Sequence, residues 1–546
     1  MRKKLSLRVL GLVLATSLLF SACGNNAEVS KEPSVVPTEK ESVASESSET
    51  AASEQEEQKE LVTLNWYLHL NGTFSGKEQV TKSVHDYVLE KLNVDLQLHW
   101  MTNAEYKEKM GTLLTAGESV DICFIAQSSN TGSADFANFA QMGAFYPLNE
   151  FMDDELAGTV DALPEGVWPS VTFDDNVYAI PSNKDLASRY AFKANQTMLD
   201  DLGVSMPTKI ETAADLIPML REAKAAQVAK YPDKAKDPLM DDGFRKLKMW
   251  YFFDAIQSEM VVANMPGMPG FAGYGEGETV FCPYYTQEYR DMVNIIQDMV
   301  EENIFAYDSK EFDADKTLIN QGGLIGTYAE GSIYMNPDTY APYYTSSLYV
   351  CEQSLMSSAY VRAALTAITA TCKYPERAAE VIELFNTDGY LQTMLRFGEE
   401  GIGWTDKDNN GVIEFEGTKN ADPANRYWYN WYGIDFGSIY QSKMPEGYPE
   451  PEEFLALVDA LNESGVASEN IGFIFDTTNV ANEISACTSV VSEYATGRLL
   501  KGQEANVDEI LDEFIAKLKA NGMDKIVEEC QKQLTEWRAA KGLSTK

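Results

Sequence analysis

Apolar and polar positions between Leu61 and Ala126 follow two alternating rhythms. Leu61 to Leu68 is rich in strand-forming residues. Lys77 to Leu92 sets Val80, Val84, Tyr87 and Val88 at helical spacing with polar residues between them. Val94, Leu96, Leu98 and Trp100 alternate with polar residues, which predicts a strand with one buried face. Tyr106, Met110, Leu113 and Leu114 mark a second helix, and Gly117 is placed to end it in a left-handed cap. Asp121-Ile-Cys-Phe-Ile-Ala126 reads as a short strand buried on both faces. The order β-α-β-α-β predicts a parallel sheet flanked by helices. Ligands of such sheets sit beyond the carboxyl ends of the strands. Those ends are Trp66 to Asn71 and Gln127 to Asn130, both rich in aromatic and hydrogen-bonding groups.

Further helices are predicted over Thr212 to Ala226 and over Pro375 to Phe385, where proline occupies the first turn. From Asn506 onward the pattern gives two amphipathic helices broken at Asn521-Gly522. A Pro/Gly-rich loop runs from Asn264 to Gly275, and no internal repeat is evident.

The first residues read as an address. Arg2, Lys3, Lys4 and Arg8 precede an apolar run from Val9 to Phe20, too short to span a bilayer as a mature helix. Ser21-Ala22-Cys23-Gly24 follows and resembles a bacterial lipobox, with Phe20 at the place usually held by leucine. On this reading residues 1–22 are a signal peptide and Cys23 carries the lipid that anchors the chain to the cell membrane. The other reading is a secreted chain with an incidental cysteine. Residues 24 to 60 hold ten Glu against three Lys and almost nothing large and apolar. Such a segment cannot bury enough surface to offset its ordering entropy, so 23–60 is expected to be a disordered acidic tether.

The 546 residues exceed what one core organises, and two or three domains are expected. The net charge of −40 argues against a nucleic-acid partner, which needs Lys and Arg to displace counterions. Histidine occurs only at 69, 85 and 99, leaving little for imidazole chemistry. No H-E-x-x-H, G-x-S-x-G, Walker A or strand-borne G-x-G-x-x-G is present. Beyond Cys23, the cysteines at 123, 282, 351, 372, 487 and 530 form no C-x-x-C and read as buried thiols, with room for one disulfide. No cofactor is expected.

Two local features carry chemistry. Asp406-Lys-Asp408-Asn-Asn410-Gly411-Val-Ile413 matches the first eight positions of an EF-hand loop, but the twelfth position is Gly417 and Glu416 falls one place early. A calcium site at Asp406, Asp408 and Asn410 competes with a plain hairpin turn at Asn410-Gly411. Tyr427-Trp428-Tyr429-Asn430-Trp431-Tyr432 packs five aromatics into six residues. They cannot all face one core, and flat rings suit the apolar faces of sugars; bridging two domains is the competing role.

Taken together, the lipobox, the tether, the α/β start and the length resemble lipid-anchored solute-binding proteins of bacterial ABC importers. Asp174-Asp-Asn-Val-Tyr-Ala-Ile-Pro181 is similar to that family's "dGKiYaiP" strand, with Asn176-Val177 in place of Gly-Lys. Leu318 to Tyr334, with Gly323-Leu-Ile-Gly-Thr-Tyr-Ala-Glu-Gly331, resembles its "G.aam....G" segment, and Lys373-Tyr-Pro-Glu-Arg-Ala378 its "s.nPe.A..fl.f" helix. Phe397-Gly-Glu-Glu-Gly-Ile-Gly-Trp404 resembles the "YGIEGxxY" motif of LplA/LipO-like lipoproteins, which carry a DUF3502-type C-terminal region. Gly472-Phe-Ile-Phe-Asp-Thr477, Asn482 to Cys487 and Gln533 to Trp537 resemble that region as well.

The resemblance implies an α/β fold of two lobes, of the type II periplasmic-binding-protein kind, with a hinge between them and a ligand in the cleft. The first lobe would take 61–181 plus 356–400. The second would take 182–355 plus 401–546, with the DUF3502-like part from about 400. It implies a monomer outside the cytoplasm that captures an oligosaccharide and delivers it to ABC permease and ATPase subunits, without chemistry on the ligand. The contact residues expected are Trp66, Tyr67, Asn71, Ser128, Asn130, Glu330, Tyr334, Trp404, Trp428 and Trp431. The alternatives are a peptide or amino-sugar carrier, a surface glycoside hydrolase or lyase using two carboxylates, and an envelope sensor or scaffold.

Overall fold

The structure is a computed structural model and describes residues 59–70, 76–127, 135–187, 189–240, 245–306, 325–329, 346–349, 351–422, 427, 436–446 and 451–545. Cys23, the tether before residue 59, and the expected contacts Asn71, Ser128, Asn130, Glu330, Tyr334, Trp428 and Trp431 lie outside the described residues.

The chain opens with β1 (Val62–Leu70), α1 (Lys77–Leu92), β2 (Val94–Thr102), α2 (Asn103–Ala116), β3 (Ile122–Ile125) and α3 (Phe136–Gln141). Next come β4 (Ile180–Pro181), β5 (Tyr190–Ala194), β6 (Phe253–Gln257), β7 (Val261–Asn264) and α4 (Gln287–Glu301). Strands β8 (Ile325–Ala329), β9 (Ser346–Tyr349), β10 (Ser354–Met356) and β11 (Leu365–Ile368) follow, then α5 (Pro375–Thr387) and α6 (Gly389–Phe397). The chain closes with β12 (Gly465–Ala467), α7 (Ala481–Val491), α8 (Val507–Ala520) and α9 (Met523–Ala540).

The opening follows the predicted pattern. Strand β1 pairs in parallel with both β2 and β3, and the sheet order is β2-β1-β3-β11-β4, with β11 antiparallel to its neighbours. Val62, Leu64, Trp66 and Leu68 on β1 are buried while Thr63 and Leu61 are exposed, the period of two that a strand imposes. The Asn65 backbone and side-chain N–H groups both donate to Asp121 Oδ2, at 2.8 and 3.2 Å, tying β1 to the start of β3. Helix α2 starts with a capping box between Thr102 and Glu105 and ends at Gly117, whose φ of 65° suits the left-handed cap. This core also takes in α1, α5, α6 and residues up to Ala187.

A second core gathers Phe192 to Phe305 with Leu355 and the C-terminal residues Phe473 to Leu534. It holds the antiparallel hairpin β6–β7, helix α4 and helices α7 to α9. Strand β5 lies between β8 and β9, antiparallel to both. The break between α8 and α9 falls at Gly522, with φ of 92°, as the sequence pattern predicts.

The chain leaves the first core between Ala187 and Phe192 and returns between Leu355 and Met356. Those last two residues lie on β10, which pairs in parallel with β12. The stretch after residue 400 does not pack wholly with the second core as expected. Phe397, Trp404, Ile413, Ile439, Met444 and Val458 form a small third cluster, and Tyr427 and Phe436 join the first core. The Asn410-Gly411 turn is not a two-residue hairpin either. Val412–Ile413 pairs in parallel with Met444–Pro445, and the loop closes through a Thr405–Glu414 bridge.

Cys123, Cys282, Cys372, Cys487 and Cys530 are buried free thiols, and Cys351 is half-buried and free. Burial pushes the Cys123 and Cys372 thiols up to about 12, so they are poor nucleophiles.

Candidate ligand-binding cleft

Two cavities meet where the two cores face each other. One has a volume of about 680 Å³ and the other about 220 Å³. Gln127, Lys248, Ala255 and Ala359 line both. The larger volume lies in the range of small-ligand sites.

The first wall grows from the end of β3. Ala126 and Asp135 are bridged, and the Phe136 N–H donates to the Ala126 carbonyl at 2.9 Å, so the strand end and the start of α3 stand side by side. Asp135 caps α3 by accepting from the Asn138 N–H at 3.2 Å. Gln127 follows the strand, its N–H bonded to the Arg362 carbonyl at 3.0 Å. Gln127, Asp135, Asn138 and Arg362 thus bring amide, carboxyl and guanidinium groups to the larger cavity.

Arg362 is only 4% exposed. Its Nε donates to the Ser170 carbonyl at 2.6 Å and Nη1 makes a long 3.5 Å contact to the Phe473 carbonyl. Nη2 has no hydrogen-bond partner among the described residues. Burial draws the guanidinium down to about 10, against the pull of Asp135 and Asp254, so it remains charged at neutral pH. Its ring partner is Phe136, 5.9 Å away.

The second wall is the tip of the β6–β7 hairpin. Gln257 to Met260 all line the larger cavity. The turn is closed by the Met260 N–H on the Gln257 carbonyl at 3.2 Å, and Ser258 holds φ of 52°, a left-handed conformation that costs a non-glycine residue energy. Glu259 follows. Burial raises its carboxyl above the ordinary 4.5, while Lys248 and Lys246 work in the opposite direction. Aromatic faces lie alongside: Tyr190, Tyr251, Phe253 and Tyr360 on the smaller cavity, Tyr284, Phe473 and Phe475 on the larger. Apolar rings beside paired donors and acceptors match a ligand with both C–H faces and hydroxyls.

The expected contacts fare differently. Trp66 is 1% exposed and packs between Phe385 and Phe436, with ring centroids at 4.6 and 5.3 Å. Trp404 is 0% exposed; its Nε1 donates to the Gly398 carbonyl at 2.6 Å, and the Lys443 ammonium lies 5.2 Å from its ring. Both are core residues rather than cleft surface: Trp66 points inward from β1, and Trp404 is enclosed in the small third cluster. Tyr67 faces the other side of β1, stacks on His99 at 4.5 Å and lines neither cavity. Gln127 lies within the strand-end loop that the sequence pointed to, whereas Tyr251, Glu259, Arg362 and Phe475 went unrecognised. Only Phe475, inside the Gly472–Thr477 motif, had a local sequence signal.

The Asp406 loop is tied up internally. The Asp406 carboxylate accepts from the Asn410 and Gly411 N–H groups at 3.0 and 3.1 Å and from Lys443 Nζ at 2.7 Å. Asn410 Oδ1 accepts from the Val412 N–H at 2.8 Å. The loop carboxylate is already neutralised by an ammonium.

Among the described residues, no helix is long and apolar enough to cross a membrane. Residues 470–539 match the family described as domain of unknown function DUF3502. Over 484 residues, 84% of this chain and 88% of the relative, the sequence is 23% identical to a carbohydrate ABC transporter substrate-binding protein of Streptococcus pneumoniae. The fold is similar to that of the N-glycan transport solute binding protein NgtS of Streptococcus pneumoniae, at 19% identity and a TM-score of 0.70, covering 88% of this chain and 99% of that one. A structure of NgtS with Man5GlcNAc gives 19% identity and a TM-score of 0.61, over 88% and 100% of the two chains. A solute binding protein of Bifidobacterium longum infantis, described as HMO-binding and ABC-transporter associated, gives 15% and 0.59, over 87% and 99%. The C-terminal match and the length-spanning similarity agree: the chain has the two-lobed α/β fold of solute-binding proteins, is similar in sequence to a carbohydrate ABC transporter substrate-binding protein, and carries a DUF3502 region over 470–539.

Proposed function

We propose that the chain captures an oligosaccharide in the cleft between its two cores and hands it intact to an ABC importer. The observation that carries this reading is the pair of adjoining cavities, with Gln127, Asp135 and Glu259 for hydroxyls and Tyr251 and Phe475 for sugar faces. The similarity to carbohydrate and glycan carriers supports the ligand class. A ligand that touches both cores binds the closed arrangement better than the open one, and that difference drives closure. The crossings at 187–192 and 355–356 are where the chain would bend. We take the lobes as 61–181 with 356–400, and 182–355 with the C-terminal part; the first core runs on to Ala187, and the segment around Trp404 forms its own small cluster.

The chain acts outside the cytoplasm, tethered through lipidated Cys23, and meets permease and ATPase subunits of its importer. Asn71, Ser128, Asn130, Glu330, Tyr334, Trp428 and Trp431 remain candidate ligand contacts. The ligand leaves chemically unchanged, so the chain is a carrier and not an enzyme.

Thermal melts of the purified chain with a panel of neutral oligosaccharides and, side by side, short peptides test this. A ligand that binds only the folded state raises the melting temperature. The expected result is a rise with one or more glycans, none with peptides, and no cleavage product by mass spectrometry. A rise with peptides alone, or glycan turnover, overturns the reading.

A further inference from the structure

We infer that the DUF3502 region forms a third wall of the cleft, and that this wall selects which glycan is held; the inference rests on the cleft reading above. Segment 468–473 bridges both cores. On one side the Gly472 N–H donates to Ser358 Oγ at 2.7 Å, and Arg362 reaches the Phe473 carbonyl. A Cβ at Gly472, where φ is 94°, would stand 2.6 Å from the Pro169 carbonyl oxygen, so the backbone lies hard against the first core. On the other side Asn470 Nδ2 donates to the Gly277 carbonyl at 2.8 Å, Ser468 bonds Asp254, and Phe473 packs on Trp537 of α9 at 5.7 Å.

From this anchored start, Phe473 and Phe475 reach the larger cavity, and α7 adds a stripe of Ala481, Ile484, Thr488 and Val491. Their spacing of three, four and three residues puts them on one face of the helix. Cys487 and Val490 on the adjoining face enter the second core, and Ile484 and Val491 lean against its edge. The stripe facing the cavity is therefore small and mainly aliphatic, across from Gln127, Asp135 and Asn138. A pyranose has the same division: C–H groups on one face and hydroxyls at the rim. The geometry assigns the C–H faces of a neutral oligosaccharide to the DUF3502 wall and its hydroxyls to the opposite wall.

Because this wall is made mostly of side chains whose size sets the width of the slot, changing one of them should change which glycan fits. The test uses isothermal titration of the full chain with Man5GlcNAc, lacto-N-tetraose and maltotetraose. Thr488→Trp fills the slot from the exposed face of α7; Ser489→Trp adds the same ring to the neighbouring position, which does not line the cavity. Thr488→Met serves the same end if the larger ring impairs folding. The expected result is a loss of about tenfold or more in affinity for the wild-type ligand with Thr488→Trp, a changed order of preference with Ile484→Ala, and wild-type affinity with Ser489→Trp, the ligand-free melting temperatures of Thr488→Trp and Ser489→Trp being unchanged. Equal affinities for wild type and Thr488→Trp across the panel overturn the inference while leaving the cleft reading standing. A wild-type chain that binds no glycan overturns the cleft reading and this inference together.

Discussion

The Lys443 ammonium lies 2.7 Å from the Asp406 carboxylate, inside a loop whose first eight residues have the spacing of a calcium site. The same ammonium sits 5.2 Å from the Trp404 ring, and the Lys443 N–H donates to Thr393 Oγ1 at 3.1 Å. The lysine is held by the 404–406 stretch and by α6 and supplies the positive charge. Calcium is therefore expected to leave the wild-type melting temperature where it is. Lys443→Met strands a nearly buried carboxylate with two backbone donors and should cost about 1–3 kcal/mol in chemical denaturation. A calcium-dependent rise in wild-type melting temperature would contradict the assignment.

Glu259 gives the cleft a pH dependence. Its carboxyl titrates above 4.5 in the folded chain because burial disfavours the charge, with Lys248 and Lys246 opposing and Tyr190, Tyr284 and Tyr289 near enough to feel it. The folded state then holds this proton more readily than the unfolded chain. Glu259 thus adds stability as pH falls through its folded value and withdraws it as pH rises. Ligand binding should run the other way, since the carboxylate accepts from two hydroxyls and the acid from fewer. Glycan affinity is expected to fall on acidification, starting above pH 4.5, and Glu259→Gln should flatten that slope. Titration calorimetry across pH checks both.

Trp66 is a stability residue. Truncation to alanine removes a ring enclosed by Phe385 and Phe436 and should cost about 3–5 kcal/mol by denaturant unfolding. Glycan affinity, measured where the variant is fully folded, should stay within about twofold, because the ring lines neither cavity.

Gly472 tolerates no side chain. Its φ is 94°, and a Cβ at this position would come within 2.6 Å of the Pro169 carbonyl oxygen, so Gly472→Ala must displace segment 468–473 from the first core. The melting temperature should drop, and glycan affinity should drop with it, since the third wall moves too. Retained affinity at a lowered melting temperature would separate the segment from the cleft.

Much of the fold was legible because it is local. The alternation in β1, the helical spacing in α1 and the Asn521-Gly522 break are each carried by a few neighbouring residues, and the structure follows them. The same alternation already placed Trp66 inward with Leu64 and Leu68; its position near a strand end suggested a contact that its parity forbids. The cleft is assembled differently. Gln127, Glu259, Arg362 and Phe475 come from a strand end, a hairpin tip, a helix end and the DUF3502 segment. No window of sequence contains two of them, so only tertiary packing could reveal the set.

The second core needs Leu511, Phe514, Leu518, Ile526 and Leu534 to seal against residues some two hundred positions earlier. A growing polypeptide lacks its closing piece until these residues have been made. Until then the apolar faces of the second core stay uncovered, the condition in which chains of this size aggregate or engage chaperones.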